Sequence, residues 1–297
     1  MKNDNKELPK GIRYIRKGEK NFPEKLLELQ DCPDGIYVKG SLPDPEKKTV
    51  AIVGARMCTA YGRATASHFA RELAANDVQI ISGLALGIDG AAHQGALLAG
   101  GATFGVLAGG VDICYPRGNI ELYTKMNGRS GILSEESCGC PPLAGLFPKR
   151  NRIISALSDL VLVVEARQRS GSLITADFAM EQGKDIFAIP GRLDDELSKG
   201  CNDLIFQGAG LANSPESLLE ILGKSTKKSD NSKKYVQNVL AREENMVYSC
   251  LSLQPQSLEE LCKHTKLSVT TVMEAVTLLQ LRGMVKEVGR NRYVKAL

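Results

Sequence analysis

Six short apolar runs, separated by amphipathic stretches, constrain the fold of this chain more than any other feature. TVAIVGAR, beginning at Thr49, is followed by VQIISG, ATFGVLAGG, GILSE, DLVLVVEA and DIFAIPG. Stretches with apolar residues at helical spacing, such as RNRIISAL and LITADFAMEQG, lie between them. Near-continuous apolar strands alternating with helices predict an α/β fold, with a mostly parallel sheet and helices on both faces.

The loops that follow these strands are the second constraint. Most of them contain glycine, and in an open parallel sheet the ligand crevice lies outside the carboxyl ends of the strands. We therefore expect the following segments around one rim: Gly54–Arg56, Ser82–Gly87, Gly109–Asp112, Glu135 and Glu165–Ser172.

Shifts in composition indicate where domains begin and end. Residues 1–45 are a polar extension, with an amphipathic FPEKLLELQ and a strand-like GIYVKG, and we expect them to dock on a domain formed by residues 46–222. The stretch GKSTKKSDNSKK has five lysines and no large apolar residue. It predicts a flexible linker over residues 223–235.

Residues 236–297 have the pattern of a second, smaller domain. REENMVYSCLS, SLEELCKHT and SVTTVMEAVTLLQLRG are amphipathic, and the second begins with Ser257 and Glu260 at the spacing of a capping box. MVKEVGRNRYVKAL then alternates around Gly289 like a hairpin. Three helices and a hairpin predict a winged-helix domain.

Composition excludes several classes of protein. The N-terminus lacks the apolar core of a signal peptide, and no run approaches the ~18 apolar residues of a transmembrane helix. The net charge of +4 is too small by itself to indicate a nucleic-acid partner. Eight cysteines include no C-x-x-C and one close pair, Cys138 and Cys140, with no histidine nearby. We expect a cytoplasmic protein with reduced thiols, no membrane partner and no metal.

Motifs for cofactor binding and catalysis are missing. The loop VGARMCTAYG lacks G-x-G-x-x-G, because Arg56 and Met57 stand where a pyrophosphate needs small residues. GxxxxGK followed by Ser or Thr does not occur either. No Ser–His–Asp order or forced carboxylate pair is present, and His93 is expected to pack or form a hydrogen bond. We therefore expect no cofactor and no enzymatic activity.

Arg56 follows the first apolar run and faces the expected crevice. Two interpretations stay open: an ion pair with Glu135 or Asp112, or contact with a phosphate, which a guanidinium can bind through two oxygens. The stretch RSGSLITA then places Ser170 and Ser172 where a strand passes into a helix. The backbone amides there can bind an anion, or either serine can cap the helix.

The stretch FPKRNR adds an aromatic residue and three cations to the same rim. Phe147 can stack on a base, and Lys149, Arg150 and Arg152 can neutralise phosphates. Asn151 can cap the helix or contact a base edge. Because Arg150 and Arg152 point to different sides of a helix start, the three cations cannot all face one ligand. One arginine can bind the ligand while another forms an internal salt bridge.

Six stretches in order resemble the DNA-processing protein A (DprA/Smf) family: IVGAR, ISGLALGIDGAAHQGAL, GVLAGGVDICYPRGN, LFPKRNRIISALSDLVLVVEA, SGSLITADFAMEQGKDIFAIPG and GCNDLIFQGA. The resemblance covers about residues 10–222. It implies a Rossmann-like domain that binds single-stranded DNA without known catalysis and works as a homodimer. It also implies protection of incoming strands in natural transformation, loading of the RecA recombinase and displacement of single-strand-binding protein.

The resemblance assigns a DNA pocket to particular positions. VGAR matches a VGSR-type motif, with Ala55 in place of the serine hydroxyl. FPKRNR matches FPxRNR, and SGSLITA matches SGSLxTA. The DNA-binding residues implied are Gly54, Ala55, Arg56, Phe147, Lys149, Arg150, Asn151, Arg152, Ser170, Gly171 and Ser172. Many members also carry a sterile-alpha-motif-like N-terminal domain, which we expect to be absent or reduced here.

Two other functions are weighed against this one. Rossmann-like phosphoribohydrolases have a PGGxGTxxE stretch with a catalytic glutamate, whereas the corresponding RSGSLITADFAMEQG lacks PGG and a glutamate at that spacing. A duplex-reading regulator needs basic or amide side chains on the third helix of its winged-helix domain, which here offers Gln280 and Arg282 near its end. We interpret that domain as an auxiliary or partner-binding module, with nonspecific backbone contact as the alternative.

The segment LIFQGAGL is the candidate dimer contact. Leu204, Ile205 and Leu211 supply apolar side chains there, although the same residues can equally belong to the core.

Overall fold

The computed structural model describes residues 8–224, 242–251 and 254–295. The chain divides into two compact units, residues 1–226 and residues 227–297. Positions 225–241, which include most of the predicted linker, lie outside the described residues.

The first unit is built on a nine-stranded sheet with the order β1-β2-β6-β5-β4-β3-β7-β8-β9. Strands β6, β5, β4, β3, β7, β8 and β9 are all parallel to one another. At one edge of the sheet, β2 pairs antiparallel with β6, and β1 pairs antiparallel with β2. The six apolar runs of the sequence form β3 to β8, which confirms the predicted sheet. The bounds are β1 Ile12–Arg16, β2 Gly35–Gly40, β3 Thr49–Val53, β4 Gln79–Ser82, β5 Thr103–Val106, β6 Gly131–Ser134, β7 Leu160–Val163, β8 Asp185–Ala188 and β9 Gly210–Leu211.

Helices cover both faces of this sheet, as predicted. They are α1 Glu24–Leu27, α2 Ala60–Ala75, α3 Ile88–Leu98, α4 Ile120–Lys125, α5 Leu146–Ala156, α6 Gly171–Glu181, α7 Lys199–Phe206 and α8 Pro215–Ile221. Val50 and Ile52 of β3 pack in one core cluster and Ala51 packs in the other, because successive side chains of a strand point to opposite faces. In the described part of the chain, no helix combines the length and apolar character needed to span a bilayer.

The N-terminal extension becomes part of the sheet. Its strand β2 pairs with β6, and β1 pairs with β2, where the rings of Tyr14 and Tyr37 lie 4.5 Å apart. The sequence did not predict β1, because its apolar residues alternate with arginines over only five positions. The short helix α4 was not predicted either, since it lies in a long connection between β5 and β6 that contains four glycines and a proline.

The order of the strands reverses between β3 and β7. β4, β5 and β6 lie on one side of β3, whereas β7, β8 and β9 lie on the other. In open α/β sheets the ligand crevice opens at such a point, outside the carboxyl ends of the strands. The loops after β3 and β7 are joined there, because the Ala55 amide donates to the Glu165 carbonyl at 2.7 Å.

The predicted dimer segment is partly core. Leu204 of α7 is buried in the cluster under the sheet, which corrects its assignment to a contact surface. Ile205 is half-buried and packs against the same cluster, while Leu211 is exposed. Phe206, which the sequence analysis did not single out, is 93% exposed. It is therefore the better candidate for a contact at this segment.

The second unit has the predicted three helices and hairpin. Its elements are α9 Arg242–Cys250, α10 Leu258–Thr265, α11 Val269–Leu281, β10 Gln256–Ser257, β11 Val285–Gly289 and β12 Arg292–Lys295. The predicted capping box is present: the Glu260 amide donates to the Ser257 hydroxyl at 3.2 Å, and the Ser257 amide donates to the Glu260 carboxylate at 2.7 Å. The three helices and the sheet enclose a small core of their own.

His93 is a core residue of the first unit. It is completely buried on α3, and its Nδ1 lies 2.7 Å from the Thr103 hydroxyl. Burial, together with the charge of Arg150, lowers the pKa of His93 to about 3. The histidine is therefore neutral at pH 7, which agrees with the packing role expected for it.

Replacing His93 with Gln should flatten the dependence of stability on pH. In the unfolded chain a histidine takes up a proton below pH ~6.5, whereas folded His93 does not until about pH 3. The parent should therefore lose up to about 1.4 kcal/mol of unfolding free energy per pH unit as the pH falls below 6.5. Urea unfolding at pH 7.0, 6.0 and 5.0 measures both proteins. Equal slopes for the two would contradict the assignment.

Candidate nucleic-acid interface

A crevice opens where the strand order reverses, outside the ends of β3 and β7. Its cavity measures about 360 Å³. Nine of the predicted residues line it: Gly54, Ala55, Arg56, Phe147, Arg150, Asn151, Ser170, Gly171 and Ser172. Lys149 and Arg152 do not line it. The structure therefore brings together three segments, residues 54–56, 147–151 and 170–172. The first two are about 90 residues apart in sequence and the last two about 20.

Arg56 is an exposed cation at this cavity. Its guanidinium lies over the Phe147 ring, 4.9 Å from the ring centroid. This cation–π contact orients the side chain without neutralising its charge. Within the described residues Arg56 forms no ion pair, and Glu135 and Asp112, the two predicted partners, bond to other groups. Its charge is therefore available to a ligand.

The loop after β3 is held by a buried carboxylate from the loop after β7. Glu165 accepts hydrogen bonds from the Thr59 amide, at 2.9 Å, and from the Thr59 hydroxyl. Thr59 in turn caps α2, since its hydroxyl accepts from the Gly62 amide at 2.9 Å. On the other side the Ile88 amide donates to the Ala55 carbonyl at 3.2 Å. These bonds fix the backbone that presents the arginine.

Arg150 forms the floor of the crevice. Its side chain is buried, and Nη1 donates to the carbonyls of Gly83, at 2.8 Å, and Val106. Its Nε donates to the Asn151 side chain at 3.1 Å. Burial lowers the pKa of Arg150 to about 10, against the opposing charge of Asp89, so the guanidinium stays charged at neutral pH. Arg150 thus joins the ends of β4 and β5 to α5.

Asp89 supplies the carboxylate beside this arginine. It is buried, which raises its pKa, although the charge of Arg150 and two backbone amides oppose the shift. One oxygen accepts from the Gly83 amide at 3.1 Å. The cap position of α3 is Gly87, and the Asp89 carboxylate turns back toward the loop after β4. The Asp89 carboxylate therefore accepts a hydrogen bond from the loop after β4 and does not cap the helix.

Lys149 and Arg152 lie apart from the cavity, in ion pairs. Arg152 is buried and pairs with Glu135, at 2.6 Å, and Asp31, at 2.8 Å. Lys149 is half-exposed and lies 3.1 Å from Glu135 and 3.3 Å from Glu136. Burial lowers the pKa of Lys149, but the hydrogen bonds and charges of the two glutamates outweigh this effect, and the pKa is raised overall. Of the two arginines of FPKRNR, Arg152 therefore forms the internal salt bridge, and Arg150 faces the crevice.

The start of α6 completes the rim. Ser170 occupies its cap position but forms no side-chain cap, because its hydroxyl lies 2.7 Å from the Ser172 hydroxyl instead. Asn151 neither caps a helix nor points freely to solvent: its amide donates to the Gly171 carbonyl at 3.1 Å. The first turn of α6 is therefore tied to α5, and its amides are not covered by a serine cap.

Two contributors were not singled out from the sequence. Arg167 is exposed and lines the cavity, and it lies within the segment Glu165–Ser172 that was expected at the rim. Tyr115 lies 6.0 Å from Phe147, ring centroid to ring centroid, and extends the aromatic surface. The position of Arg167 just after β7 was a usable signal. The contact of Tyr115 depends on a long loop that carries no such signal.

Helix α11 of the second unit exposes several apolar side chains. Val269, Met273 and Leu281 are exposed there, together with Glu274. The helix VTTVMEAVTLLQL contains no lysine or arginine. A duplex reader needs cationic or amide side chains on this helix. Of these side chains the described helix offers only Gln280, near its end, with Arg282 at its C-cap.

These features define a Rossmann-like domain with a crevice lined by arginines, followed by a winged-helix unit. Comparison with known families gives the same result. The DNA recombination-mediator protein A family matches residues 13–223, and the DprA winged helix domain matches residues 236–289. The chain belongs to the DNA recombination-mediator protein A (DprA/Smf) family.

Individual relatives are similar over about two thirds of the chain. DNA processing protein DprA of Streptococcus pneumoniae is 44% identical over 198 residues, covering 67% of this chain and 70% of that protein. Protein Smf of Escherichia coli is 45% identical over 202 residues, covering 68% of this chain and 54% of that protein. A structure of DNA processing protein A from Helicobacter pylori, solved to study its single-stranded DNA binding mode, has 31% identity and a TM-score of 0.63. The match covers 71% of this chain and 95% of that chain.

Replacing Arg152 with Ala should destabilise the first unit without weakening the crevice. The substitution leaves carboxylates without their buried partner, which should cost on the order of 2 kcal/mol of unfolding free energy. Urea unfolding measures this loss, and binding of an oligo-dT per folded molecule should match that of the parent. An Arg152→Ala protein that keeps its stability but loses binding would show that this side chain contacts the ligand.

Proposed function

We propose that the chain is a noncatalytic single-stranded DNA-binding protein that protects incoming DNA and loads the RecA recombinase in natural transformation and homologous recombination. The observation that carries this proposal is Arg56, an exposed guanidinium held over Phe147 at the crevice. The pair offers one nucleotide a phosphate contact and an aromatic surface. Both contacts tolerate any base sequence.

The geometry favours an unpaired strand over a duplex. In a duplex the base faces are stacked and covered, so that Phe147 reaches a base only when the strand is unpaired. The crevice is also lined by loops, with Arg167 and the first turn of α6 beside the aromatic ring. A flexible strand can follow such a surface, whereas a rigid helix cannot enter a cavity of about 360 Å³. The relatives support the proposal, since they are named DNA processing proteins.

The chemistry of the crevice supports a role without catalysis. Asp89 is the one carboxylate among the described residues that line the cavity. It is buried and accepts from the Gly83 amide, so that it is poorly placed as a general base. The alternative of a phosphoribohydrolase-like enzyme gains no support from this arrangement. Release of free base from nucleoside monophosphates by the purified protein would revive it.

Replacing Arg56 with Ala should weaken binding to oligo-dT by about tenfold or more, because a phosphate contact and the orientation of Phe147 are lost together. Replacing Lys149 with Ala should have a smaller effect, since its charge is already neutralised by Glu135 and Glu136. The slope of log K against log salt should change by about 0.7 for Arg56→Ala. Fluorescence anisotropy with labelled oligo-dT measures both quantities.

Lys149→Ala is the matched control for this comparison, since both substitutions remove one positive charge from the same edge of the sheet. If the two variants lost equal affinity, binding would depend on the general charge of this edge. If neither lost affinity, the crevice would not be the DNA site.

A homodimer is part of the proposal. A few contacts per protomer bind a strand weakly, and two linked crevices raise the affinity by joining their contacts on one strand. The exposed Phe206 at the end of α7 is the proposed contact, with Leu211 near it in sequence.

Replacing Phe206 with Glu should therefore convert a dimeric parent into a monomer, because a carboxylate would enter the apolar contact. Light scattering coupled to size exclusion measures the mass. Leu98→Glu is the control, because Leu98 is also exposed, at 70%, but lies on α3. A dimeric Phe206→Glu protein, or a monomeric parent, would contradict the proposal.

The remaining partners follow from the same proposal. RecA and single-strand-binding protein meet this chain on the DNA strand, in the cytoplasm, where its cysteines would stay reduced. The apolar side of α11 suits a protein partner better than a base pair, since an exposed apolar patch commonly marks an interaction surface. We assign the winged-helix unit an auxiliary, partner-binding role.

A further inference from the structure

We propose that the DNA strand continues past Arg56 into a second pocket, which holds the neighbouring nucleotide, with Arg63 as its phosphate contact. The inference rests on the proposed function, and it extends the site beyond the residues implied by the family resemblance. The pocket belongs to the first unit and lies between α2 and α3.

The second pocket adjoins the first and shares residues with it. Its cavity measures about 510 Å³, and Arg56 and Met57 line both cavities. The other residues that line it are Cys58, Arg63, Leu86, Gly87, Gly90, Ala91, Gln94, Asn119 and Leu122. Because one guanidinium borders both spaces, it can bind the phosphate that links two successive nucleotides.

Arg63 supplies the second cation. It lies in the first turn of α2, is exposed, and forms no ion pair within the described residues. The start of the helix beside it is capped, because the Thr59 hydroxyl accepts from the Gly62 amide. The arginine side chain is therefore the group that gives this pocket its second positive charge. Arg56 and Arg63 together give the pocket two cations, and no acidic residue lines it.

The opposite side of the pocket suits a base. Met57 is 85% exposed and Leu86 is 47% exposed, so both present apolar surface to the space between α2 and α3. Gln94 of α3 is exposed and carries an amide that can donate to or accept from a base edge. Asn119 has a different role, since its amide nitrogen donates to the carbonyls of Leu84 and Ala85.

The backbone around the pocket is closely fitted. Gly87 has a φ of +79°, and a Cβ at this position would collide with the carbonyls of Ala55 and Arg56. The loop after β4 therefore lies directly against the loop that carries Arg56. This contact sets the position of Leu86 relative to Met57, and the two side chains form the apolar wall.

Binding of dT20 by Arg63→Ala, with Arg71→Ala as the control, tests the proposal. Arg71 is another exposed arginine of α2, but it does not line the pocket. Arg63→Ala should weaken binding about fivefold to tenfold and reduce the steepness of the salt dependence by about 0.7. Arg71→Ala should match the parent in both quantities. Gln94→Glu, which places a carboxylate in the pocket, should also weaken binding.

The outcomes separate this inference from the proposed function. If Arg63→Ala and Gln94→Glu bind like Arg71→Ala while Arg56→Ala is weakened, the second pocket is not a DNA site and the first remains one. If Arg56→Ala also binds like the parent, both proposals fail. Circular dichroism checks that each variant is folded, which is expected because these side chains are exposed.

Discussion

The buried guanidinium of Arg150 is the contact on which the crevice depends. It donates to carbonyls at the ends of two neighbouring strands, Gly83 after β4 and Val106 of β5. An unpaired charge is costly in a protein interior, so that it persists only with hydrogen-bond acceptors and a compensating charge nearby. The carbonyls and Asp89 meet that requirement. The result is a buried, positively charged floor beneath the rim of the crevice.

The distribution of charge follows from this arrangement. Two cations of FPKRNR are buried: Arg150 donates hydrogen bonds to backbone carbonyls, and Arg152 forms ion pairs with carboxylates. Lys149 is half-exposed and forms ion pairs with two glutamates. The arginines that face solvent around the crevice come from other segments: Arg56 after β3 and Arg167 after β7. The motif therefore stabilises the walls of the crevice, and the neighbouring loops supply the arginines that face solvent.

Most of the fold could be predicted from the sequence. Six of the seven described parallel strands have apolar runs followed mostly by Gly-containing loops, and both signals are local. The capping box at Ser257 is likewise local. β1 was not predicted, because a half-buried edge strand of five residues has only a weak alternation of apolar and polar residues. Leu204 was ambiguous for a physical reason, since an apolar residue suits a core and an interface equally well.

The sequence predicted where the site lies, but it did not predict which side chains contact one another there. The strand order explains why Gly54–Arg56 and Ser170–Ser172 meet, and this follows from the placement of loops in a parallel sheet. The partners of Arg152 could not be predicted, because Asp31 and Glu135 are distant in sequence and only the folded chain brings them to it. The same holds for the contact between Arg56 and Phe147, which crosses about 90 residues.

A salt series of binding to single-stranded and duplex DNA of equal length tests the central claim most directly. If two or three arginines of each protomer contact phosphates, the slope of log K against log salt should be about −1.4 to −2.1 per protomer for the single strand. The duplex should bind at least about tenfold more weakly at every salt concentration, because its base faces are not available to Phe147. Equal affinity for the two forms, or single-strand binding without salt dependence, would contradict the account.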